Sequence, residues 1–222
     1  NDVVDTLGEL KGAVMKIGQI ASQTQDFLPK EFSEALQKLQ KEAPPVEFSV
    51  IRNQVEEELG DSLENLFLSF DVEPYAAASI GQVHRAVTKS GVEVVVKVQY
   101  PGVDRSCDSD LKQLRLTLKL GGLIKMPKAS VDALFAEIKE RLHEELDYEQ
   151  EARNLRRFRK FHKVHDYIIV PKVISSLSTR RVLTLEYVEG DHVQDLSDKG
   201  YTQEAINKIG HHLFTMLADQ LF

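Results

Sequence analysis

Lys97 stands in a run of valines, Val94-Val95-Val96-Lys97-Val98, and Glu151 follows it by 54 positions in a segment that also carries Glu144, Glu145 and Asp147. Side chains alternate faces along an extended chain. Val95 therefore shares a face with Lys97, while Val94, Val96 and Val98 point into the packing behind it. The lysine is left aimed at a cleft. An ammonium placed there can hold phosphate oxygens, and a helix carboxylate can hold the ammonium. Upstream, Ala76-Ala77-Ala78-Ser79 reads as a small-residue turn running into a strand. A glycine turn would let backbone N–H groups approach phosphate oxygens freely. Each alanine methyl removes some of that freedom, which predicts a stiffer loop suited to binding more than to fast phosphoryl transfer. By residue type alone, the lysine also fits an edge-strand charge, the alanines a close-packed bend and the carboxylates a solvated helix face.

These groups need elements to position them. Two β-branched stretches, 80–87 and 92–98, flank Thr88-Lys89-Ser90-Gly91, which has the composition of a hairpin loop. Residues 110–123 read as a helix with a broad apolar face that Gly121-Gly122 ends. A second helix is predicted from an N-cap at Ser130 through Val131, Leu134, Phe135, Ile138 and Leu142 to Glu151 and beyond. On one continuous helix Glu144, Asp147 and Glu151 would share a side, with Glu145 about 100° away. A basic stretch follows: Arg153, Arg156, Arg157, Arg159, Lys160 and Lys163. It suits the C-terminal end of a helix dipole, or else an anionic lipid surface or another phosphate-bearing partner. Residues 168–174 and 181–188 read as two more strands. The last segment is a helix with Ile206, Ile209, Leu213, Leu217 and Leu221 on one face. Near the N-terminus Leu7, Leu10, Val14, Ile17 and Ile20 mark an amphipathic helix, and another runs from Leu28-Pro29 towards Pro44-Pro45.

Composition narrows the class. A chain of 222 residues with 42% apolar content can bury a real core, and a net charge of −7 argues against nucleic acid as a partner. The single Cys107 allows no internal disulfide and fits a reducing compartment. No apolar run reaches the roughly 20 residues of a membrane span, so membrane contact would be peripheral or lie downstream. The seven histidines show no metal-ligand spacing, and we assign no protein metal site.

Three motifs then occur in order: Lys16-Ile17-Gly18-Gln19, the segment from Ala76 to Val83 ending Ser79-Ile80-Gly81-Gln82-Val83, and Val98-Gln99-Tyr100-Pro101-Gly102-Val103 after the lysine. Glu145-Leu146-Asp147 adds an acidic E-x-D. Together they resemble the UbiB-type atypical kinase family, the kinase-like proteins linked to ubiquinone biosynthesis, over nearly the whole chain. In a protein kinase a Gly-rich turn covers the phosphates, and a strand lysine pairs with the α- and β-phosphates and with a helix glutamate.

The resemblance implies an α+β fold: a protein-kinase-like N-lobe over 61–188 with a helical insertion at 104–165, an N-terminal helical extension over 1–60, and the start of a C-lobe over 189–222. It implies ATP or ADP binding with Mg2+ through Ala76, Ala77, Ala78, Ser79, Lys97 and Glu151. Backbone groups at Glu186 and Val188 would meet the adenine at a hinge. Lys16, Gly18 and Gln19 would fold over the active site, with Glu145 and Asp147 meeting that extension or the nucleotide's metal. The chain holds no Asp-Phe-Gly and no catalytic-loop aspartate followed by asparagine after Glu151, so we expect an internal fragment whose catalytic and metal-binding aspartates lie past Phe222. The implied activity is an atypical kinase or ATPase supporting prenyl-quinone synthesis, with lipid, a peripheral membrane surface or quinone-biosynthesis proteins as partners, in the cytoplasm, mitochondrion or plastid. A pseudokinase scaffold switched by nucleotide is the alternative, and a helical interaction protein without nucleotide the third.

Overall fold

The computed structural model describes residues 46–221 except 79, 105–107, 110, 113–114 and 117–127. Helix α1 (Phe48–Leu59) and a single turn, α2 (Leu63–Leu66), precede strands β1 (Phe67–Phe70), β2 (Ala76–Ala78), β3 (Gly81–Thr88) and β4 (Glu93–Gln99). Helices α3 (Lys128–Glu145) and α4 (Tyr148–Phe161), strand β5 (Val182–Glu186) and helix α5 (Gln203–Leu221) complete the order. Residues 103–104, 108–109, 111–112 and 115–116 are also helical, with Leu111 buried. None of these helices is long and apolar enough to cross a membrane.

The sheet is antiparallel throughout, in the order β1-β3-β4-β5, with β2 also paired to β3. Valine alternation in β4 places Val94, Val96 and Val98 at 0–1% exposure. With Ala86 and Val182 they form a core against Ile51 and Val55 of α1, closed by Leu63 and Phe67. The segment 48–59, read from sequence with the extension, thus shares the core of the lobe. Burial of this kind contributes about 1.5–3 kcal/mol for each large aliphatic side chain. On the opposite face Val83, Arg85, Val95 and Lys97 are half-buried, and α4 lays Tyr148 and Ala152 over Val173 and Leu183. The sheet is sandwiched between α1 and α4. At the rim, Arg181 joins the two layers by donating to Glu58 Oε1 of α1 (2.8 Å) and to Asp104 Oδ2 (2.6 Å), while Thr179 Oγ1 donates to Glu58 Oε2 (2.7 Å).

Three sequence expectations change. The alanines do not make the turn: Ala76, Ala77 and Ala78 are extended and pair with Val83, Gln82 and Gly81. The turn falls at Ile80, which is buried and whose carbonyl accepts from Tyr100 N. The long second helix is two helices. Asp147 Oδ1 accepts from Gln150 N (2.8 Å) and caps α4, while Tyr148 N leaves the helical pattern for Arg180 O (3.1 Å). A capping carboxylate competes with the i−4 carbonyl for the same backbone donors, so the chain turns there. Glu144, Asp147 and Glu151 consequently do not share one helix face. The predicted strand 168–174 is reduced to one bridge, Val173 to Leu185, because Pro171 has no N–H to give a ladder. The helix expected at the end of the chain is present as α5, and its apolar face stays open among the described residues, with Leu217 and Leu221 exposed.

His84 gives the lobe a pH dependence. Its ring is buried, with Nδ1 2.9 Å from Asp71 O and Nε2 3.1 Å from Gln82 Oε1. Burial holds its pKa below 6.5, outweighing the Asp71 carbonyl and the Asp71 and Glu73 charges that raise it. The unfolded chain therefore binds this proton more readily than the folded one. The histidine's contribution to stability is whole above about pH 6.5 and is lost as pH falls through the depressed folded value. Urea unfolding from about pH 7.5 to 5 should show stability falling by up to about 1.4 kcal/mol per pH unit in that window, and His84→Gln should flatten the slope. Identical slopes would clear His84 of the effect.

Candidate functional site

The site is built where β4 faces α4. The register sets Lys97 between Val83 of β3 and Leu183 of β5. Its Nζ donates to Glu151 Oε2 (2.8 Å) and Oε1 (3.1 Å) and lies 4.6 Å from the centroid of the Tyr148 ring. Lys97 is 25% and Glu151 36% exposed, so the pair opens to solvent and adds no more than about 1 kcal/mol to stability. Its value is positional: a strand lysine and a helix glutamate 54 residues apart are locked at one point of the cleft. The expected pairing of these two residues is present.

Beneath them lies a polar seam. Gln99 Nε2 makes long contacts to Glu145 O (3.5 Å) and Arg180 O (3.4 Å), while Gln99 Oε1 and Tyr148 Oη are buried without a hydrogen-bond partner among the described residues. Burial, and then the charges of Glu151 and Glu145, hold the Tyr148 phenol well above its usual pKa, so it stays protonated. Burial likewise raises the Tyr100 phenol, against a hydrogen bond with Gln82 that lowers it. Asp147, besides capping α4, lies 3.6 Å from Arg153 Nη2. Glu145 is half-buried as the last residue of α3.

Over the cleft stands the β2–β3 hairpin, with Ala76 and Ala77 exposed and Ala78 half-buried. At its far side β5 ends at Glu186, whose N donates to Lys172 O (2.9 Å), and Val188 follows, exposed, just beyond. Lys16, Gly18, Gln19 and Ser79 lie outside the described residues. Sequence reasoning missed the aromatic cluster at this corner: Arg85 stacks 4.1 Å above Tyr187, which meets Tyr75 edge-on at 6.0 Å. It also missed Tyr148 beneath the lysine. A Tyr one residue past a capping Asp was the available signal. Among the described residues no group of three or more His, Cys, Asp or Glu side chains is arranged to hold a metal ion.

The arrangement joins a cation on a central strand, an apolar ceiling of Val83 and Val95 on the same face, and a hairpin in front. Comparison with known proteins points the same way. Residues 38–222 match the model of the ABC1 atypical kinase-like domain. The chain is 36% identical over 234 residues to the probable serine/threonine-protein kinase abkA of Dictyostelium discoideum, covering 99% of this chain and 41% of that protein. It is 39% identical over 193 residues to the mitochondrial atypical kinase coq-8 of Caenorhabditis elegans, covering 86% of this chain and 25% of that one. The solved structure of the Rv3197–erythromycin complex from Mycobacterium tuberculosis superposes with a TM-score of 0.59 at 38% identity, covering 92% of this chain and 52% of the other. The chain thus spans between a quarter and about two fifths of the length of these two curated relatives.

Proposed function

Because the chain belongs to the ABC1, or UbiB-type, family of atypical kinase-like proteins, we propose that the cleft before Lys97 binds ATP or ADP. The observation that carries this reading is the bidentate contact of Lys97 with Glu151. It holds one ammonium where α- and β-phosphate oxygens would meet it, in the way kinase folds use such a pair. Val83 and Val95 offer apolar surface to a purine, the hairpin ending at Ala78 and Ser79 would border the phosphates, and backbone groups at Glu186 and Val188 would receive the adenine edge. Magnesium would arrive with the nucleotide and neutralise phosphate charge. Lys16, Gly18 and Gln19 would reach over the same cleft towards Glu145 and Asp147.

For the protein as a whole we propose an atypical kinase or ATPase serving prenyl-quinone lipid synthesis, in an organelle or at a membrane periphery. The test is thermal melting of the native protein with Mg-ADP. At 100 times its Kd the nucleotide should add about 2.7 kcal/mol of apparent stability. Lys97→Met should melt normally without nucleotide and lose most of the Mg-ADP shift. An unchanged shift in that variant would reject the assignment. If Lys97→Met keeps partner assembly but loses function in cells, nucleotide binding is required for function; preserved function in a variant that no longer binds Mg-ADP would reject both the enzyme and the nucleotide-switched scaffold.

A further inference from the structure

On the side of α4 turned away from Glu151, a pocket of about 230 Å³ opens between the helix and the loop leading into β5. Arg153 and Arg156 line it from the helix, beside Glu149, and Ser175, Ser178 and Thr179 line it from the loop. The loop side is fixed. Ser178 Oγ donates to Ile174 O and accepts from Thr184 N, and Thr179 Oγ1 is committed to Glu58. The helix side is only partly neutralised. Arg156 Nη2 donates to Ser175 Oγ (2.8 Å) and has no carboxylate partner among the described residues. Arg153 hydrogen-bonds the neutral Gln150 Oε1 (2.8 and 3.1 Å), with Asp147 and Glu149 only at 3.6 and 3.9 Å.

From this pocket a stripe of cations continues along the helix. Arg156, Arg159 and Lys160 lie three and four positions apart on the helix, and Lys163 follows in the turn just past its end, all exposed and, among the described residues, without carboxylate partners. At the recess Arg156, with the loosely paired Arg153 beside it, matches the oxygens of a phosphate monoester, and an electropositive stripe running out of the recess matches acidic residues beside it. A membrane is the weaker fit. An interfacial helix inserts an apolar face between its cations, whereas most of the apolar face of α4 (Tyr148, Ala152 and half-buried Leu155) is packed on the sheet, leaving Phe161 at its end and Val164 beyond it exposed. We propose that this pocket docks a phosphorylated serine or threonine within an acidic segment of a partner protein. The pocket shares Tyr148 with the cleft before Lys97, but the proposal does not rest on what fills that cleft.

Fluorescence anisotropy without nucleotide tests it on the native protein, at about 0.15 M salt so that diffuse attraction is screened. The probes are a labelled peptide with one phosphoserine among aspartates and glutamates, the same peptide with serine, and phosphatidylserine vesicles. The phosphopeptide should bind at least about 10-fold more tightly than its serine twin. Arg156→Gln, on an exposed position, should erase that preference, as should Ser175→Asp, which sets a carboxylate against the guanidinium. Arg157→Gln, off the stripe, should leave it. Equal binding of the two peptides, a preference that survives Arg156→Gln and Ser175→Asp, or binding to vesicles alone would each overturn the proposal.

Discussion

Gly81→Ala should unfold or nearly unfold the lobe, lowering its stability by about 3 kcal/mol or more. Gly81 opens β3 opposite Gln99 of β4, and a methyl there would sit 2.0 Å from Val98 O and 2.8 Å from the same carbonyl's carbon. Both are backbone atoms of the central strand, so no side chain can swing aside. Relief must come from parting β3 from β4 at the root of the hairpin that overhangs the cleft. Denaturant midpoints of the variant and parent compare the two directly. A variant within about 0.5 kcal/mol of the parent would mean that the strands separate there at little cost.

Tyr148 should separate ring from hydroxyl. Tyr148→Ala removes a fully buried aromatic from between α4 and the sheet and should cost about 3–5 kcal/mol. It also takes away the π face that Lys97 rests on, so the surviving folded protein should bind Mg-ADP more weakly. Tyr148→Phe keeps that face and deletes only a buried oxygen that has no partner among the described residues. Its cost should stay under about 1 kcal/mol, or turn into a gain, because an unsatisfied buried hydroxyl is itself unfavourable. Chemical unfolding and the Mg-ADP melting shift, measured on both variants, give the answer. A phenylalanine variant as damaged as the alanine one would place the hydroxyl in a hydrogen bond that matters.

How much of this was legible in sequence depends on the range of the interaction. The alternation of Val94, Val96 and Val98 is a period-2 signal, and it gave both the buried face and the direction of Lys97. The hairpin at 88–91 was equally local, and Gly91 adopts the positive φ of 83° that such a turn requires. The pairing of Lys97 with Glu151 was not local. No periodicity links them, and only the family resemblance brought them together. The end of α3 was misread although its mark was present: Asp147 followed three residues later by Gln150 is a capping pattern, overlooked because apolar spacing continued through Leu142 and Leu146. The placement of Ala76–Ala78 in a strand was hidden because alanine favours neither extension nor turn strongly enough to show. The Arg156 pocket lay beyond reach, since Ser175 comes to it from a loop 19 residues downstream.

The bridge from Arg181 to Glu58 also sets a schedule. Its ends are 123 residues apart, so α1 is made long before the arginine that fastens its C-terminal end. At about 5–20 residues per second, a ribosome would need roughly 6 to 25 s to travel from one to the other. Through that interval α1 can lean on β4 but cannot be latched, and the nascent lobe remains open to chaperones until β5 emerges.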